Sequence, residues 1–181
     1  PLTGCATWFG SYAVFWTKAT TTVIGGNPVL GNPFRTISYR YGAIDAQAWC
    51  AVPGGSMFFM SSQGLVEISS PDSGGVRVVS NDRMPPEMLN IDPATYHVSM
   101  AYDSRLRGVH IFQTKISSVA NVAHWFYKIA EEGCPAGFWG QIFHVDVEPF
   151  CMCSISESAS GLSMSAYTDL VWGGRSGYLY R

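Results

Sequence analysis

The chain has 181 residues, of which 47% are hydrophobic, 14% aromatic and 13% charged, and its net charge is −2. This length suits one domain with a sizeable core, so we expect residues 1–181 to form a single domain or part of a larger one. The charged fraction is about half that of an ordinary soluble domain, which favours a surface covered by neighbouring chains. The net charge argues against a general nucleic-acid-binding surface, and no apolar run is long enough for a membrane-spanning helix.

Two β-hairpins are predicted in the first third of the chain. Val14–Trp16 and Thr22–Ile24 are short apolar runs joined by polar residues. Met57–Met60 and Leu65–Ile68 repeat this pattern around a turn that ends in Gly64. Apolar runs rich in β-branched and aromatic residues around a glycine turn are typical of hairpins. We expect the glycine to supply the positive φ that a tight turn requires.

The residues around the second hairpin extend it to three strands. Ala46–Cys50 alternates between apolar and other residues, and Pro53 to Gly55 turn the chain towards Met57. After the hairpin, Ser70-Pro71-Asp72-Ser73-Gly74 matches the Ser-x-Asp-x-Gly core of Asp-box turns but lacks the aromatic residue expected after it. Ser80–Asn90 contains two prolines and predicts a single helical turn between sheets.

A third hairpin is predicted at Val98–Tyr102 and Val109–Phe112, with a turn that ends in Gly108. Ser117–Glu132 is ambiguous, because its apolar residues have helical spacing while its centre, His124 to Tyr127, has the composition of a strand. We favour a hairpin there, with a turn near Glu131 and a return strand at Phe138 and Trp139. A fourth hairpin joins Leu170–Trp172 to Tyr178–Tyr180.

These hairpins recur at a spacing that predicts a β-propeller. Gly64 and Gly108 are 44 residues apart, and the Thr20 turn lies 44 residues before Gly64. A blade of four antiparallel strands needs about 40–50 residues. The longer interval from Gly108 to Gly177 suggests an inserted segment. We therefore predict an all-β fold of three to four four-stranded blades whose ring another segment or another chain completes, and an antiparallel sandwich remains the alternative.

No catalytic or cofactor motif is present, so we predict a protein that is not an enzyme and binds no cofactor or metal. His144, Asp146 and Glu148 alternate along a predicted strand, and a divalent metal bound by these three is the alternative to a solvent-facing strand. Cys151 and Cys153 share one face of a strand, with Cys134 as a conceivable third zinc ligand. Buried free thiols are the favoured interpretation, because zinc sites use wider spacings.

Arginine and tryptophan often anchor protein interfaces. The candidate interface residues are Arg105, Arg107, Trp125, Trp139 and Arg175.

Several segments together resemble propeller-like virion proteins of tailed bacteriophages, whose chains are longer. The segments that carry the resemblance are Thr22–Pro28, Gly55–Leu65, Asn90–Pro93, Val98–Asp103, Arg107–Phe112, His124–Tyr127 and Gly173–Tyr178. The resemblance implies a structural role in the virion at the neck or tail, as a head-to-tail connector, a hub or a plug that retains packaged DNA. It also implies assembly in the host cytoplasm.

The implied partners are portal, neck or tail subunits and further copies of the same chain in a ring. Contact with packaged DNA is compatible with this role, and sequence-specific DNA binding is not expected. The alternative function is a glycan-binding or glycan-cleaving propeller of the sialidase type. That alternative predicts a concave pocket in which carboxylates converge beside an exposed tryptophan or tyrosine.

Overall fold

The computed structural model describes residues 1–8, 12–27, 29, 31, 34–72, 75–79, 86–118, 121–139, 142, 144, 149–156 and 168–180. Over these residues the chain is all-β, as predicted, and Pro86–Met88 form a short 3-10 turn. The chain divides into two compact units, Pro1–Pro93 and Ala94–Arg181. The organisation of residues 1–181 as a single domain stays a prediction.

The first unit contains two antiparallel sheets of four strands, and in each sheet consecutive strands are neighbours. The first sheet consists of β1 (Leu2–Trp8), β2 (Tyr12–Thr17), β3 (Thr21–Gly25) and β4 (Arg35–Ser38). The second consists of β5 (Trp49–Ala51), β6 (Met57–Ser61), β7 (Gly64–Ile68) and β8 (Val76–Val78). This arrangement is that of propeller blades.

Aromatic side chains join the two sheets of the first unit. Trp16 on β2 is fully buried, and its ring lies 5.9 Å from that of Trp49 and 5.8 Å from that of Phe59. The Asp-box-like turn adds a polar link, because Asp72 accepts a hydrogen bond of 2.8 Å from the Tyr12 hydroxyl. The last two residues of that motif lie outside the described residues. The turn therefore connects sheets.

The second unit contains one sheet of four strands and one of three, again in consecutive order. The third sheet consists of β9 (Tyr96–Asp103), β10 (Gly108–Lys115), β11 (Asn121–Lys128) and β12 (Gly137–Trp139). The fourth consists of β13 (Pro149–Ser156), β14 (Thr168–Gly174) and β15 (Leu179–Tyr180). The hairpin favoured over a helix at Ser117–Glu132 is confirmed: β11 is its first strand and β12 is the return strand.

The sheets begin at other points along the chain than the spacing of the turn glycines predicts. Their first strands begin at Leu2, Trp49, Tyr96 and Pro149, so that 47, 47 and 53 residues separate successive starts. The hairpins that the sequence highlights are β2–β3, β6–β7, β9–β10 and β14–β15. The third of these joins the first and second strands of its sheet, whereas the others join the second and third. The long interval from Gly108 to Gly177 therefore contains the four strands β11 to β14.

The turn glycines act in two different ways. Gly64 and Gly177 have φ angles of 115° and 82°, as the hairpin turns require. In the β9–β10 turn the positive φ of 50° belongs to Arg107 instead. Gly108 has a different reason to be glycine, because packing leaves no room for a side chain there: a Cβ atom would lie 2.2 Å from Cζ of Phe126. Ala46 to Ala48, predicted as part of a strand, form a turn before β5.

Candidate functional site

An open cleft of about 260 Å³ lies in the second unit, between the third and fourth sheets. Asp103, Arg105 and Asp169 supply its charged groups. Its other lining residues are His110, Phe112, His124, Leu170 and Trp172. Pockets for drug-sized ligands measure about 300–1,000 Å³, so this cleft suits a smaller molecule.

Arg105 connects the two carboxylates of the cleft. Asp103 ends β9, and its Oδ1 accepts hydrogen bonds from the backbone N–H groups of Arg105 (2.7 Å) and Leu106 (3.0 Å). This geometry is that of an Asx turn, which fixes the start of the β9–β10 connection. The Arg105 guanidinium then donates to Oδ1 of Asp169 on β14 across 2.8 Å. The turn therefore aims an arginine at the neighbouring sheet.

Aromatic rings form the apolar wall of the cleft. Phe112 on β10 is buried, and its ring stacks on that of Trp172 at 5.8 Å with an interplanar angle of 29°. The Trp172 ring also meets the edge of Tyr180 at 5.9 Å. Phe112 belongs to a small core with Ala101 and Met152, which joins the third sheet to the fourth. Packing between the sheets therefore holds Trp172 in place.

Three of the four histidines form a hydrogen-bonded chain beside the cleft. Nδ1 of His110 lies 2.7 Å from Nε2 of His124, and Nδ1 of His124 lies 2.8 Å from Nε2 of His144. At the other end, Nε2 of His110 lies 3.3 Å from Oδ2 of Asp103. His110 and His124 are buried, and His144 is half-buried. We call these four residues the histidine chain.

The register of β10 and β11 produces this chain. His110 is opposite Phe126, and Phe112 is opposite His124. Alternate residues of a strand share one face, so the two His-x-Phe pairs interlock diagonally on a single face. His144 then stacks on His124 with an interplanar angle of 8°. The pattern His-x-Phe at 110–112 and 124–126 is visible in the sequence and is the signal that could have predicted the site.

Burial lowers the pKa of all three imidazoles of the histidine chain. The pKa of His124 is lowered to about 2, because burial disfavours its charged form and the imidazoles of His110 and His144 add to the effect. Burial also lowers the pKa of His110, although its hydrogen bond to Asp103 opposes the change. The pKa of His144 is lowered by burial. The folded chain therefore favours neutral imidazoles.

The predicted interface residues lie in different environments. Arg105 borders the cleft, and Arg107 pairs with Glu131 at 2.9 Å while its side chain stays 66% exposed. Trp139 on β12 is 61% exposed. Trp125 is only 8% exposed and so offers little surface to a partner. The exposed side chain of Arg175 donates to the backbone oxygen of Ser118.

The structure bears on the candidate metal ligands His144, Asp146 and Glu148 and on the cysteines. Asp146 and Glu148 lie outside the described residues, and His144 bonds to His124. Among the residues that the structure describes, no three or more His, Cys, Asp or Glu side chains are arranged so that they could hold one metal ion. All five cysteines are free, but the prediction of buried thiols is right only for Cys50. Cys151 is partly exposed, and Cys153 is exposed together with the next two residues of β13.

Fold and cleft together define an all-β protein of blade-like antiparallel sheets with one small aromatic-walled cleft in its second unit. No protein-family model matches the chain, and no curated protein matches it. Within the described part of the chain, no helix has the length and apolar character to cross a membrane.

Proposed function

We propose that the chain is a noncatalytic structural component of a tailed-phage virion, at the neck or tail, where it connects head and tail, forms a hub or helps to retain DNA. Its partners would be portal, neck or tail subunits and further copies of itself in a ring. The resemblance in sequence and the blade-like sheets support this proposal. The low charged fraction supports it as well, since an assembled protein exposes less of its surface.

The observation that carries the proposal is the exposure of large apolar side chains on the outer strands of the second unit. Trp139 on β12 is 61% exposed, Leu179 on β15 is 77% exposed, and Tyr178, directly before β15, is 70% exposed. Both strands have one strand neighbour among the described residues. An outer strand with unpaired backbone groups and apolar side chains is a ready surface for association.

Two measurements test the structural role. The oligomeric state of the chain is determined by light scattering, for the wild type and for Trp139→Ser and Leu179→Ser. We expect an oligomer that the two substitutions weaken at least tenfold. Tyr39→Ser is the matched control, because Tyr39 is 81% exposed but lies outside the strands. Imaging and mass spectrometry of intact particles then locate the chain, and its absence from particles would exclude the virion role.

A second candidate, glycan binding, is favoured by the cleft. Asp103 and Asp169 line it together with Trp172, so two carboxylates and an aromatic ring meet there, as this function requires. The Trp172 ring is half-buried, which is less exposure than the alternative predicts. A sugar ring could place its apolar face on Trp172 and its hydroxyls against Arg105 and Asp169. The cleft volume of about 260 Å³ suits one such ring.

Titration with a monosaccharide panel, followed by NMR, tests the second candidate. We expect millimolar binding that Trp172→Ala and Asp169→Asn abolish and that Trp139→Ala leaves unchanged, because Trp139 does not line the cleft. A glycosidase panel run in parallel would contradict the noncatalytic role if it showed turnover that Asp169→Asn removes. The absence of any cleft-specific shift would eliminate glycan binding.

A further inference from the structure

The histidine chain has a directed set of hydrogen bonds when its imidazoles are neutral. The Asp103 carboxylate can only accept, so His110 carries its proton on Nε2 and its Nδ1 becomes an acceptor. His124 must then donate from Nε2 to His110, and His144 must donate from Nε2 to His124. One carboxylate therefore determines the tautomer of three histidines.

The free end of this arrangement is Nδ1 of His144. No described residue bonds to this atom, and the side chain of His144 is half-buried, whereas His110 and His124 are buried. In the neutral chain it is the one ring nitrogen that has a lone pair not already used within the histidine chain. Among the ring nitrogens of the neutral histidine chain, Nδ1 of His144 is therefore the one that can bind an incoming proton.

We propose that Asp103, His110, His124 and His144 act as a single proton-accepting unit, in which a proton that binds Nδ1 of His144 is passed along both imidazole–imidazole hydrogen bonds and held on His110 against Asp103. This inference goes beyond both candidate functions and does not depend on either of them.

The transfer is balanced at each step. When Nδ1 of His144 binds a proton, its Nε2 proton moves to Nδ1 of His124, and the Nε2 proton of His124 moves to Nδ1 of His110. His110 then carries protons on both nitrogens and faces the carboxylate as an imidazolium. His124 and His144 are neutral again, but each now carries its proton on Nδ1. Both imidazole–imidazole hydrogen bonds remain, and the donor and acceptor have exchanged roles in each.

The surroundings favour His110 as the final position of the charge. Asp103 on β9 lies 3.3 Å from His110, while His124 has an imidazole on either side. The other charged groups that line the cleft are Arg105, in the turn after β9, and Asp169 on β14. The sequences of β12 and β13 contain no charged residue. One added proton changes the charge of the cleft from a net single negative to neutral.

Nitrogen-15 NMR of the imidazole rings tests this proposal on the intact chain. Between pH 8 and the acid limit of folding, we expect His110 to become charged with a midpoint below about 6.5. In the same step, His124 and His144 change from the Nε2–H to the Nδ1–H tautomer without becoming charged. His97, which stacks on Phe150 at 5.1 Å outside the histidine chain, is the internal control and shows no such coupled change.

The variant Asp103→Asn distinguishes proton transfer along the histidine chain from separate titration of each histidine. Asparagine retains the acceptor oxygen of the Asx turn but removes the negative charge. The amide nitrogen then takes the place of Oδ2 and can only donate to Nε2 of His110, so His110 and His124 carry their protons on Nδ1 already at pH 8. We therefore expect the tautomer change at His124 to disappear and the midpoint to fall by about one pH unit or more.

The wild-type spectra alone can overturn the proposal, whether or not the variant folds. If His124 keeps its proton on Nε2 while His144 becomes an imidazolium, the proton is not relayed. If each histidine titrates separately, or if all three remain neutral until the protein unfolds, the four residues do not act as one unit.

Discussion

Gly108 lies directly against the ring of Phe126, and a Cβ atom on Gly108 would stand 2.2 Å from Cζ of that ring. The contact joins the start of β10 to β11, next to the residues that hold the histidine chain. The glycine at this hairpin is therefore a packing requirement of the third sheet.

Gly108→Ala is expected to destabilise the protein by about 1–3 kcal/mol, the usual cost of overfilling a packed site. The added methyl group would also approach the backbone oxygen of Tyr127, at 2.7 Å, which cannot move as a side chain can. Urea unfolding monitored by tryptophan fluorescence measures the effect. Gly137→Ala is the matched control, since Gly137 lies on β12 and a Cβ atom added there would have no contact within 4 Å. Equal stability of the two variants would contradict the packing role.

Arg107 adopts the left-handed backbone conformation, which residues other than glycine rarely adopt. Its φ is 50°, and a β-branched residue fits this region poorly. We expect Arg107→Val to be less stable than Arg107→Gly by about 1–2 kcal/mol, the cost of the left-handed conformation. Both variants lose the ion pair with Glu131, so the difference between their melting curves isolates the backbone effect. Indistinguishable curves would show that the turn takes another conformation in solution.

Stability is expected to fall as the pH is lowered from about 6.5 to 5. The three imidazoles of the histidine chain have lowered pKa values when folded, whereas histidine in an unfolded chain has a pKa near 6.5. In this window the unfolded chain binds more protons, and each extra proton lowers the free energy of unfolding by about 1.4 kcal/mol per pH unit.

Urea denaturation at several pH values between 5 and 8 measures this slope. His124→Gln should reduce it, because the histidine with the largest reduction in pKa is removed. Measurements near pH 8 are the control, because there the histidines of the unfolded chain are neutral as well and should add little to the slope of either protein. A stability that does not change across the window would show that the imidazoles are not buried in solution.

The cysteines are expected to react with iodoacetamide at very different rates. Burial raises the pKa of the Cys50 thiol and also blocks access to it. Cys5 and Cys153 are exposed. Pulse alkylation followed by peptide mass spectrometry should label the two exposed cysteines in the native protein and Cys50 only in urea. Early labelling of Cys50 would mean that β5 opens readily.

The sequence predicted the hairpins because their signals are local. Gly64 ends a turn between two apolar runs, and both strands and the turn appear as predicted. The outer strand β8, with the sequence Val-Arg-Val, is too short to give a periodic signal. The even spacing of glycines was misleading at Gly108, because a glycine kept for packing resembles a glycine kept for a turn.

The cleft could not be predicted from local patterns. Asp103 and Asp169 are 66 positions apart, and only the packing of the third sheet against the fourth brings them to one arginine. The two His-x-Phe pairs were visible, but their interlocking depends on the register of β10 and β11. Trp125 is a further example of what local patterns miss. Tryptophan is a residue type that often lies in interfaces, but the fold buries this one.

The regular start of each sheet has a practical consequence for engineering the chain. Because β5 and β9 each open a new sheet, chain breaks just before Trp49 and Tyr96 fall between the strands of successive sheets. Residues 49–95 could be excised or duplicated at these two points without separating the strands of any one sheet. The backbone hydrogen bonds of Met60 to Ala48 and of Ile116 to Thr95 cross these points and would have to form again. A cut placed at the hairpin glycines would instead sever the third sheet after its first strand.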